Sequence, residues 1–309
     1  MRLCLLTCLG FVAAISFGAK CAYPQSGGLA FLKLEPSAEA LGSGSALTAL
    51  SGDAFSTFVN PAGLAGNRPN AAGFSYTAWV GNVQLFNLGS RIQAGSTGAF
   101  GIAITSSSTS DIEAREQPGV PSGTFDAQFV SAGVSYARAL GPLRAGVTVK
   151  YLSEEIYTES AGGYAFDVGV QADVVPRTVW IGFAAQHLGE MNELNIERTE
   201  LPKTYRAGVA VQPFTIRTAD DDAAAVKTYF SVDLVHRPSE DVTTAQVGAW
   251  LFAFDIIWLR AGYLGDDQLR DYTAGLGLLY RSFRFDYAYL PFETGFGASG
   301  QALTIQYFW

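Results

Sequence analysis

Phe283-Arg284-Phe285-Asp286-Tyr287-Ala288-Tyr289 places four aromatic rings on one side of an extended chain and Arg284, Asp286 and Ala288 on the other. Successive side chains of a strand point to opposite faces, so this period of two predicts a strand with one wholly apolar face and one polar face. Similar alternation recurs elsewhere. Ala145, Val147, Val149 and Tyr151 oppose Arg144, Gly146, Thr148 and Lys150; Phe166, Val168, Val170 and Ala172 oppose Asp167, Gly169, Gln171 and Asp173; Phe230, Val232 and Leu234 oppose Ser231, Asp233 and Val235. Working outward from these segments predicts fourteen strands, at 71–80, 83–94, 97–107, 126–139, 143–154, 163–174, 178–187, 203–212, 227–236, 243–253, 256–264, 272–280, 282–291 and 300–309. In 243–253, Trp250 and Phe252 share one face and Val247, Ala249 and Leu251 the other.

The distribution of charge decides what the strands build. In a soluble sandwich the polar face meets water and the apolar face a dry core, and the outer faces would carry many charges. Here the apolar faces of the clear strands carry essentially no charge. The opposite faces carry Arg91, Arg144, Lys150, Asp167, Arg206, Asp233, Arg260, Arg284 and Asp286. That is too many for a soluble core and ordinary for the lumen of a barrel whose outside faces lipid. The expected fold is therefore all-β: a 14-stranded antiparallel transmembrane β-barrel embedded in outer-membrane lipid. Short links near 94–97, 140–142, 174–178, 253–256 and 280–282 alternate with longer polar ones at 107–125, 155–162, 188–202, 265–271 and 292–299, as turns and loops do in such barrels. Two connections break that parity: 80–83 is short where a loop is due, and 213–226, with Asp220-Asp221-Asp222, is long where a turn is due.

Composition agrees. The 309 residues are 49% hydrophobic but only 16% charged, with 34 glycines and a mean hydropathy of +0.17. An average soluble chain has roughly 25% charged residues. Past the N-terminus no apolar run approaches the ~18 residues of a spanning helix. Disorder is excluded by the ample apolar surface. The 20 basic against 28 acidic residues remove the electrostatic case for nucleic acid.

Residues 1–22 read as a secretory signal peptide: Arg2, an apolar stretch from Leu3 to about Gly18, then small residues. Cleavage after Cys21 or after Ala22 both fit. A lipid anchor on Cys21 is the alternative, which Lys20 disfavours. Cys4, Cys8 and Cys21 all lie at or before the cut, so the mature chain is expected to lack thiol chemistry and to carry a formal charge of −10 instead of −8 once Arg2 and Lys20 are gone. Residues 23–69 have no period of two. Ser37 is placed to cap a short helical turn at 37–41, and Asn60-Pro61-Ala62-Gly63 is a strong turn signal. A compact small-residue segment ahead of a barrel (70–309) fits inside it as a hatch.

Phe31-Leu32-Lys33-Leu34, Ala38-Glu39-Ala40-Leu41-Gly42, Asp53-Ala54 and Asn60-Pro61-Ala62-Gly63-Leu64-Ala65 resemble the N-terminal signature of the PorV/PorQ family. Val134-Ser135-Tyr136-Ala137-Arg138, Gly146 to Tyr151, Leu259 to Tyr263 and Phe285 to Tyr289 extend the resemblance in order along the mature chain. The Asn-Pro-Ala-Gly turn is also similar to that in the hatch of FadL long-chain fatty acid transporters, with Asp53, Asn60, Pro61, Ala62 and Gly63 as the structural hatch motif. The resemblance implies a FadL-like barrel that serves type IX protein secretion, with loops 107–125, 188–202 and 292–299 gripping a secreted cargo or secretion-system partner. Leu41-Gly42-Ser43-Gly44-Ser45 departs from the Gly-Met-Gly run that many members carry. A FadL-like transporter of small hydrophobic molecules is the alternative. The closing strand, with Tyr307 and Trp309 third from last and last, resembles the signal read by the outer-membrane assembly machinery.

No catalytic, metal or cofactor site is expected. His187 and His236 are the only histidines and are read as strand-end packing. Gly295-Phe296-Gly297-Ala298-Ser299-Gly300 matches a dinucleotide fingerprint without the following helix. Asp220-Asp221-Asp222 and Asp266-Asp267 are read as solvated loop carboxylates rather than calcium ligands. A barrel lipase would need one of the histidines beside a serine and a carboxylate.

Overall fold

The computed structural model describes residues 29–50, 52–66, 68–115, 121–194, 197–217, 224–265, 267, 269–292 and 299–309. Residues 1–22, expected to be a signal peptide, with the three cysteines, and Asp220-Asp221-Asp222, Asp266 and residues 295–298 lie outside them.

Fourteen antiparallel strands close on themselves among the described residues: β1 Ala71–Ala78, β2 Val83–Ala94, β3 Gly98–Ala114, β4 Gly123–Leu140, β5 Leu143–Ile156, β6 Glu159–Val175, β7 Val179–Met191, β8 Thr204–Val211, β9 Ala224–Arg237, β10 Val242–Ala253, β11 Ile257–Leu264, β12 Tyr272–Tyr280, β13 Phe283–Leu290 and β14 Gly300–Phe308. Each strand pairs with its sequence neighbours, and β1 pairs with β14 from Ala71↔Phe308 to Ala78↔Gln301, so the sheet has no open side. Closure satisfies every ladder and is what allows strands to cross lipid. Every strand anticipated from alternation is present. In β10, Trp250 is 4% exposed and Val247 38%, so the tryptophan face is the lumenal one.

The strands differ in height. β3 and β4 have 17 and 18 residues, β11 and β13 only 8. A tilted spanning strand needs ~9–11 residues, so β3–β7 rise past the membrane at the loop end. The segments anticipated as loops 107–125 and 155–162 are largely strand. β3 and β4 stay paired to Ala114↔Gly123, with a bulge between Thr109 and Ile112. β5 and β6 stay paired to Ile156↔Glu159, leaving two turn residues. The two parity-breaking links sit on the ends that parity assigns them: 79–82 is a tight turn at the loop end. At the turn end, Thr215–Arg217 pairs back onto the start of β9.

The outside is a belt of Phe74, Leu88, Phe100, Ile102, Val134, Val149, Phe166, Val232, Leu276 and Leu303, all exposed. Residues 29–50 and 52–66 fill the inside. They form α1 (Ala38–Gly42), with Ser37 accepting a hydrogen bond from the Ala40 N–H at 3.3 Å, α2 (Ser56–Val59), and a 3-10 turn at Pro61–Leu64 capped by Asn60. Their backbone and the side chains of Phe55 and Asn60 pass against inward glycines that face one another in adjacent strands: Gly73↔Gly89, Gly146↔Gly169, Gly182↔Gly208 and Gly248↔Gly262. A Cβ at Gly146 would stand 2.5 Å from the Pro61 carbonyl carbon, and one at Gly248 2.6 Å from the Ser43 oxygen. The glycine richness of the sequence thus has a steric purpose: it hollows the wall where the hatch lies.

Candidate functional site

All nine charged residues assigned to the polar strand faces point inward, at 0–9% exposure. Burying so many ions is costly unless each is paired, and the hatch supplies much of the pairing. Arg284 of β13 contacts Glu39 of α1, Asp53 at 2.7 Å and Asp286 at 2.9 Å. Arg260 of β11 lies 2.7 Å from Asp286 and 3.8 Å from Glu39. Gln306 of β14 donates to Asp53 at 2.9 Å. Burial would raise the Asp53 carboxyl, but Arg284 and the Gln306 hydrogen bond outweigh it and hold it below the usual carboxylate range. For Glu39 burial wins over Arg284 and Arg260, and its carboxyl is lifted.

Backbone groups of the hatch take the remaining wall partners. Asp233 accepts the Thr48 N–H at 2.8 Å. Arg91 gathers four carbonyls where the chain leaves the hatch: Leu64 at 2.8 Å, Gly66 at 2.7 Å, Arg68 at 2.7 Å and Pro69 at 3.0 Å. Asn60 donates to the Thr48 carbonyl at 2.9 Å and to Val170 of the wall at 3.2 Å, while its own oxygen accepts from Ala62 at 3.1 Å. Pro61, Ala62 and Gly63 are buried in the turn that Asn60 caps. Arg144 pairs with Asp173 at 2.6 Å, near the turn end.

At the loop end the lumen changes character. Leu29 and Phe31, ahead of the hatch helices, pack with Leu85, Leu152, Met191 and Leu201 in an apolar cluster, with Trp79 and Phe129 against it. Beneath it lies a cavity of about 40 Å3 between residues 31–36 and the wall. It holds residues that sequence periodicity did not mark: Lys33, paired with Glu240; Glu35, paired with Arg206; and Arg237. Lys150 reaches its edge, 2.5 Å from Asp167. His187 belongs here too, which corrects its reading as strand-end packing. A bulge sets Gln186 and His187 of β7 opposite Asp167 of β6, so both consecutive side chains turn inward. His187 takes φ +57°, unusual for a residue with a Cβ, and its N–H donates to Asp167 at 2.9 Å. The bulge breaks alternation and left no signal in the sequence. His236 points outward, its ring 2.9 Å from the Thr243 hydroxyl.

Tyr307 and Trp309 lie on the outer surface at the turn end, their rings 5.6 Å apart, with Trp309 and Asn70 exchanging backbone hydrogen bonds of 3.1 Å. Among the described residues no group of three or more His, Cys, Asp or Glu is placed to hold a metal ion.

No family model matches the sequence, and neither does any curated protein. Solved structures do match in fold. The toluene transporter TbuX of Ralstonia pickettii superposes with a TM-score of 0.59 at 14% identity, over 89% of this chain and 98% of that one. The P. putida toluene transporter TodX gives 0.58 at 11%, over 88% and 97%. A Pseudomonas aeruginosa FadL homologue gives 0.50 at 12%, over 87% and 97%. With the inward hatch, the apolar belt and the closed sheet already described, this likeness shows the fold: a 14-stranded antiparallel β-barrel of the kind seen in these FadL-like structures.

Proposed function

We propose that the chain is a non-enzymatic passage through the outer membrane for small hydrophobic molecules, entered at the loop end. The observation that carries this reading is the apolar cluster of Leu29, Phe31, Leu85, Leu152, Met191 and Leu201 at the loop-end mouth of a lumen whose wall charges pair with the hatch below it. A lumen meant for ions or sugars has no use for such a lining, whereas an apolar molecule leaving water gains ~25 cal/mol per Å2 buried there. The fold shared with structures described as toluene transporters supports the same reading. Cells carrying the chain in their outer membrane should take up labelled toluene faster than cells carrying the barrel with Leu85 and Leu152 both changed to Asp. Equal uptake, with both proteins folded and at equal surface level, would sink the reading.

A second reading follows the PorV/PorQ resemblance, in which the loop end grips a secreted protein. What favours it is the tall wall of β3–β7, which carries paired strand well past the membrane on one side only. Co-purification from detergent extracts separates the two: recovery of a secreted or secretion-system protein that is lost on shortening the β3–β4 hairpin to Thr109 and Ala127 would support it, and its absence would remove it.

A further inference from the structure

The opposite, turn end of the barrel, which is the periplasmic side of such proteins, gathers guanidiniums over the hatch. Arg68, on the segment that leaves the hatch, is exposed, and its guanidinium lies on the Gly52 backbone, where a Cβ would stand 2.4 Å from Arg68 Cζ. From there it acts electrostatically on Arg91 of β2, Arg144 of β5 and Tyr229 of β9. Those strands are spread around the barrel, so the charge stands over the opening. Among the described residues the carboxylates at this end are already engaged: Asp173 with Arg144, Asp255 with Lys227 and Asp53 with Arg284. Arg91 is bonded to carbonyls, and the Nε of Arg144 is buried without a partner. Like charges held this close repel one another, and their joint field draws an anion to the opening. Across it, Trp180 of β7, Tyr229 of β9 and Trp258 of β11 turn inward, neighbouring ring centroids 6.4 and 6.1 Å apart. Lipid does not account for these rings, because an aromatic girdle faces outward. Tyr229 and Trp258 rest on the hatch beside Leu50, and all three rings stay partly exposed.

We propose that the turn end is a docking surface for an extended, acidic segment of a periplasmic protein. Its carboxylates meet Arg68 and Arg144, and its alternate apolar or aromatic side chains lie on the row Trp180, Tyr229 and Trp258. Charge sets the sign of the partner, since guanidiniums bind carboxylates through paired, charge-assisted hydrogen bonds. Ring spacing sets its form: side chains on one side of an extended chain recur about every 6.6–6.8 Å, close to the spacing of the row. Access agrees, because five of the links at this end hold only two or three residues, and a polypeptide can lie across the rim without meeting a wall. The surface lies at the far end from the apolar mouth, so the inference does not depend on what enters there.

The test is fluorescence anisotropy of labelled hexapeptides, Asp-Phe-Asp-Phe-Asp-Phe and its Lys-Phe and Ser-Phe counterparts, titrated with the intact protein in detergent and repeated on Arg68→Gln and Trp180→Ser. The Asp-Phe peptide should bind, and each substitution should weaken it about 10-fold, the worth of one charge-assisted hydrogen bond or one stacked ring. The Lys-Phe and Ser-Phe peptides should bind more weakly and not respond to Arg68→Gln, which also separates binding from partition into detergent. Arg68 is exposed and its carbonyl bond to Arg91 survives the change, so this variant keeps the test open if Trp180→Ser folds poorly. Equal binding of the three peptides, no binding of any, or an Asp-Phe affinity indifferent to Arg68→Gln overturns the proposal. So does displacement of the peptide by inorganic phosphate with no effect of Trp180→Ser, which would reduce the surface to a simple anion site.

Discussion

Glu39 and Asp53 share Arg284 yet respond to burial in opposite directions, and that gives a pH profile with a defined sign. The raised Glu39 carboxyl binds its proton more readily folded than unfolded, so stability falls as pH rises through its titration. The lowered Asp53 carboxyl contributes stability that is present above its unfolded pKa of about 3.9 and is lost as pH falls through the folded value. Acidification through the Glu39 titration, which lies above the ordinary glutamate value of about 4.3, should therefore raise Tm slightly, and further acidification below about 4 should lower it. Glu39→Gln, which fixes the protonated state, should flatten the first limb and keep the second. Asp53→Asn should cost more than Glu39→Gln, about 1–3 kcal/mol, because it removes the partner that stays charged. Thermal unfolding across pH on the three proteins checks this; an unchanged first limb in Glu39→Gln would refute the assignment. Neither acid's role was legible in the sequence. The hatch has no periodicity from which to read a side chain's direction, and the partners are more than 200 residues away.

Among the elements, legibility followed the membrane. Strands were readable where one face meets lipid, because lipid enforces an apolar residue at every second position. Val149 illustrates the rule: it pairs with Val134 and Phe166, and all three are exposed on the belt. Above the membrane the rule lapses. Thr105-Ser106-Ser107-Ser108-Thr109-Ser110-Asp111 is polar on both faces, so its alternation vanishes while its backbone remains paired with β4 up to the bulge. That is why the hairpin read as a loop. The same contrast predicts energetics. Val149→Arg should destabilise the barrel in lipid vesicles by about 2–4 kcal/mol, the cost of a charge near the bilayer midplane. Ser110→Arg, on the same wall but past the lipid, should fall within about 0.5 kcal/mol of the parent. Denaturant unfolding from vesicles measures both, and equal costs would mean that β3 does not leave the membrane where its sequence turns polar.

For the molecule as a whole, charge balance joins hatch to barrel. The inward strand residues comprise seven cations, Arg91, Arg144, Lys150, Arg206, Arg260, Arg284 and the cavity-lining Arg237, and four acids, Glu154, Asp167, Asp233 and Asp286, an excess of three positive charges. Residues 29–66 contain three acids, Glu35, Glu39 and Asp53, and one cation, Lys33, which Glu240 answers. The wall's surplus and the hatch's carboxylates thus match in number, and all three carboxylates sit on wall arginines. This complement was present in the sequence for anyone who summed the lumen faces separately from the hatch, although not which acid meets which arginine. It also predicts what the barrel becomes without its filling. The glycine pairs that accommodate the hatch would leave open space, and the closed ladder does not depend on residues 29–66 for its pairing. Deleting residues 29–66 should therefore leave a barrel that conducts, where the intact protein is closed to ions. With its surplus of lumenal arginine exposed, that pore should prefer anions, because a narrow charged channel concentrates counter-ions. Reversal potentials in planar bilayers under a potassium chloride gradient read the sign directly. A cation-selective pore would show that the inward arginines are answered by acids other than those of the hatch.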